Sequence, residues 1–99
     1  MVSVSFNARE RRLVLDGPCW ATDAGGISGA LRDAADPARG LVLDLTRMTA
    51  VPEEVATAIT SACCAAEAEG CRVRVWTLPG SATELALAAA SRGPSVLAT

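Results

Sequence analysis

The sequence predicts an α/β domain in which a mixed sheet of four or five strands, an N-terminal hairpin plus parallel strands, carries about three helices packed mainly on one face. Three observations lead to this prediction. Two alternating segments occur near the N-terminus, a nearly continuous apolar run occupies residues 41–45, and three segments repeat apolar residues at helical spacing. Ninety-nine residues suffice for one modest core, so residues 1–99 are expected to form a single domain.

The hairpin is expected at residues 2–7 (VSVSFN) and 11–17 (RRLVLDG). Both segments alternate apolar and polar residues, which places one side chain in two on each face of a strand. The polar residues between them are typical of a turn. The chain should therefore begin with two antiparallel strands.

A first helix is expected after Pro18. Residues 22–36 (TDAGGISGALRDAAD) carry Ile27 and Leu31 at helical spacing, and Thr22 or Asp23 is available to cap the start. The glycines within this segment each cost about 1 kcal/mol relative to alanine in a helix interior. We therefore expect this helix to depend on packing for its stability.

A central strand and a second helix follow. Residues 41–45 (LVLDL) form an apolar run after Gly40, which is typical of a central strand covered by helices. The next helix opens on Pro-Glu-Glu, a common start because proline is favoured at the first helical position. Its expected core stripe consists of Val55, Ile59, Ala62 or Cys63, and Ala66.

The last strand and helix are predicted from residue 71 onward. Residues 71–76 (CRVRVW) alternate arginine with apolar residues, which indicates that one sheet face is partly open to water. Ser81 and Glu84 have the spacing of a capping box and predict the start of a third helix. Residues 92–99 are expected to contain at most one short strand, the fifth of the sheet.

Charge and hydropathy exclude several classes of partner. The chain has a net charge of −2 and nine scattered arginines, without lysine or a basic run, so nucleic acid is not expected as a partner. No apolar stretch approaches the roughly 20 residues that span a bilayer, and Met1 leads into a strand instead of an export signal. We expect a cytoplasmic protein without membrane insertion.

The residues available for chemistry do not favour an enzyme. Four cysteines (Cys19, Cys63, Cys64 and Cys71) lack the paired spacing of a zinc site, and histidine is absent, so no metal or other cofactor is expected. The glycine-containing segments match neither a dinucleotide-binding loop nor a P-loop. Adjacent glutamates on a helix point about 100° apart and are poorly placed to act as a catalytic pair.

The order of these segments is similar to that of the STAS domain, the fold of bacterial anti-sigma factor antagonists and of the cytoplasmic tails of sulphate transporters. The resemblance rests on residues 41–90, where a strand ends in Asp44-Leu45-Thr46, a link leads into a helix, and a strand preceded by glycine feeds another helix. The hairpin and the glycine-containing first helix precede them. This resemblance implies a small mixed-sheet domain with helices mainly on one face.

The phosphorylation motif of the antagonists is degenerate in this chain. Their link carries Asp-Ser-Ser-Gly at the start of a helix, and a kinase that is itself the anti-sigma factor phosphorylates the second serine and so releases the antagonist. Pro52, Glu53, Glu54 and Val55 stand at these four positions. Glu54 is the phosphosite equivalent, and because it has no hydroxyl the resemblance implies that the covalent switch cannot operate there.

Two interpretations of Glu53 and Glu54 remain open. In the first, their charge permanently imitates the phosphorylated state, although a phosphoserine carries nearly two charges and a carboxylate only one. In the second, they are ordinary helix-start residues, each stabilised by about 0.3 to 1 kcal/mol through the helix dipole. The second interpretation is favoured because any helix start could use these residues.

The resemblance and the lack of catalytic groups together predict a non-enzymatic protein interaction module, with an anti-sigma factor kinase as the candidate partner. Alternatives are the STAS subunit of a lipid-transport ATP-binding-cassette complex, a small-molecule or nucleotide-binding domain that also uses Gly25 and Gly26, and a homodimer anchored by Trp20 or Trp76. The predicted partner-binding residues are Met48, Thr49, Val51, Pro52, Glu53, Glu54 and Val55.

Overall fold

In the computed structural model, the backbone is described for residues 2–97 and the side chains for residues 2–91. Within these residues four strands and three α-helices follow one another, with a short 3₁₀ helix at Ala21–Asp23 before the first α-helix. The strands and helices are β1 (Ser3–Asn7), β2 (Arg12–Pro18), α1 (Ala24–Ala34), β3 (Leu41–Ala50), α2 (Glu53–Ala68), β4 (Val73–Trp76) and α3 (Ala82–Leu97).

The strands form one mixed sheet in the order β1-β2-β3-β4. β1 pairs antiparallel with β2 as the predicted hairpin, whereas β2, β3 and β4 are parallel. α1 connects β2 to β3, and α2 connects β3 to β4, as parallel neighbours require. The predicted fold class is confirmed, with four strands and three α-helices among the described residues.

The core lies between the helices and one face of the sheet. Alternate residues of the two central strands point toward the helices and are at most 3% exposed: Leu13, Leu15, Leu41, Leu43 and Leu45. They pack in one cluster with apolar residues of α1 and α2. Although the chain contains twenty alanines, leucine and isoleucine account for most of the largest fully buried residues. The buried residues on the helices are Ile27, Leu31, Ala34, Val55, Ala56, Ile59, Ala62 and Ala66.

The opposite face of the sheet is partly open to water, as the alternation of arginine in residues 71–76 predicted. On this face Val42 of β3 is half-buried, and its partner on β4, Arg74, is exposed. The guanidinium of Arg12 lies 5.9 Å from the centre of the Trp76 ring on this face, within the range of a cation–π interaction. A polar and aromatic layer therefore takes the place that a second layer of helices occupies in many parallel sheets.

The ends of several elements differ from the prediction. β3 continues to Ala50, five residues beyond the predicted apolar run, because a bulge lets polar residues remain in the strand. The short strand predicted within residues 92–99 is wrong for residues 92–97, which continue α3. Pro94 removes one backbone donor and crowds the carbonyl four residues earlier, but the alanine-rich turns before it have high helix propensity. Residues 98–99 lie outside the described part of the chain.

The start of α3 follows the predicted capping box only in part. The hydroxyl of Ser81 accepts a hydrogen bond from the backbone N–H of Glu84 at 3.2 Å, as expected. The Glu84 carboxylate reaches one residue further back than the motif requires, to the N–H of Gly80 at 2.9 Å. It also accepts a hydrogen bond from the Thr77 hydroxyl at 3.4 Å, so one side chain holds the whole β4–α3 turn.

Gly40 marks a point where only glycine fits. Its φ of +76° lies in the left-handed region, and a Cβ built there would be 2.9 Å from the carbonyl oxygen of Arg72. That oxygen accepts the N–H of Leu41 at 2.9 Å and so belongs to the contact between β3 and β4. A side chain at position 40 would therefore disturb the entry of the central strand.

We predict that Gly40→Ala lowers the free energy of unfolding by about 2 to 3 kcal/mol, from the left-handed backbone and the contact with the Arg72 carbonyl. Gly80→Ala is the matched control, because Gly80 has φ +74° but no neighbouring atom within 4 Å of the point where a Cβ would lie. This control should lose only about 1 kcal/mol. Equal losses in urea denaturation of the two variants would contradict the role given to the Arg72 contact.

Candidate functional site

A bulge in β3 divides the strand into a core-building part and a site-forming part. Val14 of β2 pairs with Asp44 of β3, and the next registered pair is Asp16 with Arg47. Between these two pairs β2 advances by two residues and β3 by three. β3 therefore contains one extra residue opposite β2 at this point. Such a bulge changes which face the following side chains occupy.

The bulge decides which residue after Leu45 enters the core. Strict alternation from Leu43 and Leu45 would bury position 47, an arginine, on the helix-covered face. Instead Met48 is buried there with 8% exposure, and Arg47 points outward with its Nη1 3.7 Å from Oδ2 of Asp16. Both side chains of that ion pair are at least half exposed, so it contributes little to stability.

Asp44 holds the bulge from within the strand. Its Oδ1 accepts hydrogen bonds from the N–H of Thr46 at 3.0 Å and from the Thr46 hydroxyl at 2.7 Å. Burial works to raise the pKa of Asp44, but these hydrogen bonds and the guanidinium groups of Arg12 and Arg47 outweigh it, and the pKa lies below its usual value. The carboxylate is thus an ionised structural group that is only 8% exposed.

The connection from β3 to α2 is shorter than predicted. The predicted partner-binding residues 48–55 were expected to include the whole link between strand and helix, but β3 ends at Ala50 and α2 begins at Glu53, which leaves only Val51 and Pro52 between them. The Ala50 carbonyl accepts the N–H of Cys19 at 3.1 Å, so the ends of β2 and β3 are joined. The site is consequently held by backbone contacts on its β2 side.

The sequence predicted Pro52 as the first residue of α2. In the structure Glu53 is the first helical residue, and Pro52 is instead the N-cap. Its φ of −62° suits the proline ring, and its carbonyl accepts the N–H of Ala56 at 3.0 Å. No side chain caps this helix start. The positive end of the helix dipole is therefore next to the carboxylates of Glu53 and Glu54 in the first turn.

The seven predicted partner-binding residues fall into three groups by exposure. Thr49, Glu53 and Glu54 are exposed, whereas Val51 and Pro52 are half-buried. Met48 and Val55 belong to the core, with exposures of 8% and 0%, so a partner cannot touch them on the folded domain. Their buried side chains attach the end of β3 and the first turn of α2 to the core, and so hold the connection between them in place.

Trp20 belongs to the same end of the sheet and was not predicted as part of this site. It follows Cys19, the residue bonded to Ala50, and its side chain is 59% exposed. Its backbone N–H donates to Oδ2 of Asp23 at 2.8 Å, which fixes the turn that leads into α1. The signal in the sequence was its position directly beyond β2, since parallel strands end at one edge of a sheet.

The described residues contain no group of three or more side chains suited to hold a metal ion. Glu53 and Glu54 are both exposed and form no ion pair within the described part of the chain. Consecutive helical residues point about 100° apart, so the two carboxylates present charge in two directions. This arrangement suits an electrostatic contact with a partner surface.

Comparison with known proteins identifies the fold. No protein-family model and no curated protein matches the sequence. The crystal structure of an anti-sigma-factor antagonist STAS domain from Rhodobacter sphaeroides superimposes with a TM-score of 0.53 at 20% identity, covering 76% of this chain and 83% of its own. The chain has a STAS fold.

A second solved structure, the crystal structure of Mglu, contains a similar domain within a longer protein. It superimposes with a TM-score of 0.62 at 23% identity and covers 80% of this chain. This chain spans only 20% of that protein.

Within this STAS-like domain, the site lies at the carboxyl end of the central strand and the start of the following helix. Open α/β sheets place their binding surfaces at this edge. The exposed groups of the site are carboxylates, a threonine hydroxyl and an indole ring on one rim of the domain.

No helix among residues 2–97 combines the length and the hydropathy needed to cross a bilayer.

We predict that Asp44→Asn reduces the loss of stability in acid. Since the folded pKa of Asp44 lies below its usual 3.8, the carboxylate stabilises the fold above that pH, and this stabilisation is lost as pH falls through the folded pKa. Urea midpoints between pH 7 and 2 should therefore fall less steeply for the variant below about pH 4. The variant itself should be less stable than wild type at pH 7.

Asp33→Asn, which removes an exposed carboxylate of α1, is the control for the change in net charge. It should leave the acid slope of the urea midpoints close to that of wild type. Parallel slopes for wild type and Asp44→Asn would show that Asp44 does not carry the stabilisation assigned to it.

Proposed function

We propose that this STAS-like domain is a non-enzymatic regulatory module that binds a protein partner through the exposed rim formed by Trp20, Thr49, Glu53 and Glu54. One observation carries the proposal: an exposed carboxylate stands on the first turn of α2, where the resemblance to the antagonists places the phosphorylated serine. The candidate partner is an anti-sigma factor kinase. Control of binding by phosphorylation at position 54 is not part of the proposed mechanism.

The chemistry of Glu54 supports constitutive binding behaviour. A glutamate has no hydroxyl to accept phosphate, and its charge does not depend on a kinase. It supplies one negative charge and two acceptor oxygens, against nearly two charges and three oxygens in phosphoserine. A partner whose binding depends on the charge at this position would therefore meet a permanent but weaker version of the phosphate signal.

The rim is suited to binding because it is held rigidly and carries few competing contacts. The Cys19–Ala50 hydrogen bond and the burial of Met48 and Val55 fix the backbone beneath it. An exposed indole ring beside charged groups is typical of interface anchors. A partner with a basic patch around an apolar pocket would complement this surface.

We predict that Glu54→Gln changes the affinity for the partner at least tenfold, because the charge that stands in place of the phosphate is lost; calorimetry against purified candidate anti-sigma factor kinases measures this change. Glu69→Gln, at the opposite end of α2, makes the same change in net charge far from the rim and should bind like wild type. An unchanged affinity for Glu54→Gln would reduce the glutamates to helix-start residues. Failure of wild type and Glu54→Ser to bind any such kinase would reject the antagonist role.

We further predict that Glu54→Ser creates a phosphate acceptor. With ATP and a kinase that binds the domain, mass spectrometry should find phosphate on residue 54 of the variant. Wild type should carry none on the α2 start, and Thr49→Ala in the Glu54→Ser background controls for the neighbouring hydroxyl. Phosphate on Thr49 of the wild-type protein would contradict the proposed lack of a phosphoswitch at this rim.

A further inference from the structure

A groove between α2 and α3 opens onto the sheet on the side of the domain away from β1. The two helices diverge above β4 and leave a cavity of about 340 Å³, within the size range of small-molecule sites. It is lined by residues from three elements. The apolar lining residues on which the inference depends are Ile59 and Cys63 of α2, Val75 of β4, and Leu87 and Ala88 of α3.

Val75 shows that the helix layer is incomplete here. Its partner in the sheet, Leu43, is fully buried under the helices, so both side chains point to the same face. Val75 is nevertheless 41% exposed, because neither α2 nor α3 covers it. An apolar group placed in the groove would remove this surface from water, at roughly 25 cal/mol for each Å² buried.

The charged groups that line the groove are both carboxylates. Glu67 projects from α2 and Glu84 from α3, and the side chains described around the groove include no arginine. Glu84 is occupied by the N–H of Gly80 and the hydroxyl of Thr77. Glu67 forms no ion pair within the described residues and is left as a counter-charge.

The thiol of Cys63 adds no charge to the groove at neutral pH. Burial raises the pKa of Cys63 to about 11, with a further contribution from the nearby Glu67 carboxylate. The thiol therefore behaves as a small apolar wall. The groove has a consistent chemical character, with an apolar floor, uncharged walls and an acidic edge.

We propose that this groove binds a small organic cation, a protonated amine on a compact apolar body, with the ammonium beside Glu67 and the body over Val75. A carboxylate attracts an ammonium and repels a carboxylate or phosphate, so charge selects the ligand class. A volume of about 340 Å³ suits one compact body. This site is separate from the Glu53–Glu54 rim and does not depend on the proposed partner.

Three probes of matched shape test the proposal: cyclohexylmethylamine, cyclohexylmethanol and cyclohexanecarboxylate, titrated into the ¹⁵N-labelled protein. The amine should give saturable chemical-shift changes at Val75, Thr77 and Leu87, with about two- to fivefold weaker binding for the alcohol and still weaker binding for the acid. Equal affinities for amine and alcohol would overturn the role of charge. Absence of saturable changes up to millimolar amine, or changes that map elsewhere, would overturn the site.

Variants separate the two components of the site. Glu67→Gln should weaken amine binding about two- to fivefold, whereas Glu69→Gln, which removes a carboxylate outside the groove, should leave it unchanged. Ala88→Leu should fill the groove and abolish amine binding, and circular dichroism verifies that this variant is folded. Ala88→Ser is the control and should retain amine binding. Normal amine affinity in folded Ala88→Leu would also overturn the site.

Discussion

The bulge in β3, which changes the face that the following side chains occupy, is the constraint on which the rest of this structure depends. Up to Leu45 the central strand supplies leucines to the core, and after the bulge it supplies Met48 to the same core while Arg47 turns away. Asp44 makes this possible because its carboxylate binds both the N–H and the hydroxyl of Thr46. Without the extra residue, a charged guanidinium would be directed into an apolar interior, at a cost of several kcal/mol.

The bulge in β3 also positions the rim. Since β3 continues past the bulge to Ala50, it can bond to Cys19 and leave a two-residue connection before α2. A short connection between a buried methionine and a buried valine has little freedom, so the exposed glutamates are presented on a fixed turn. The uncapped start of α2 stabilises their negative charge, which makes helix formation and partner recognition compatible uses of the same residues.

The rim and the α2–α3 groove differ in how they arise. The rim follows from the end of a central strand, where every parallel sheet exposes backbone and loop residues. The groove follows from the divergence of two helices over the edge strand β4, which leaves Val75 without cover. α2 contributes to both, with its first turn at the rim and residues 59–67 along the groove. The two surfaces could thus be addressed by different ligands.

The sequence by itself determined the mixed sheet, the three helices and the core stripe of α2, because these follow from periodicities within short segments. It also determined that position 54 carries a carboxylate and that the chain has no histidine. Only the tertiary structure decided that Met48 and Val55 are buried, that Trp20 joins the rim and that the link is two residues long. These properties depend on the register between β2 and β3, which is set by contacts among residues distant in the chain.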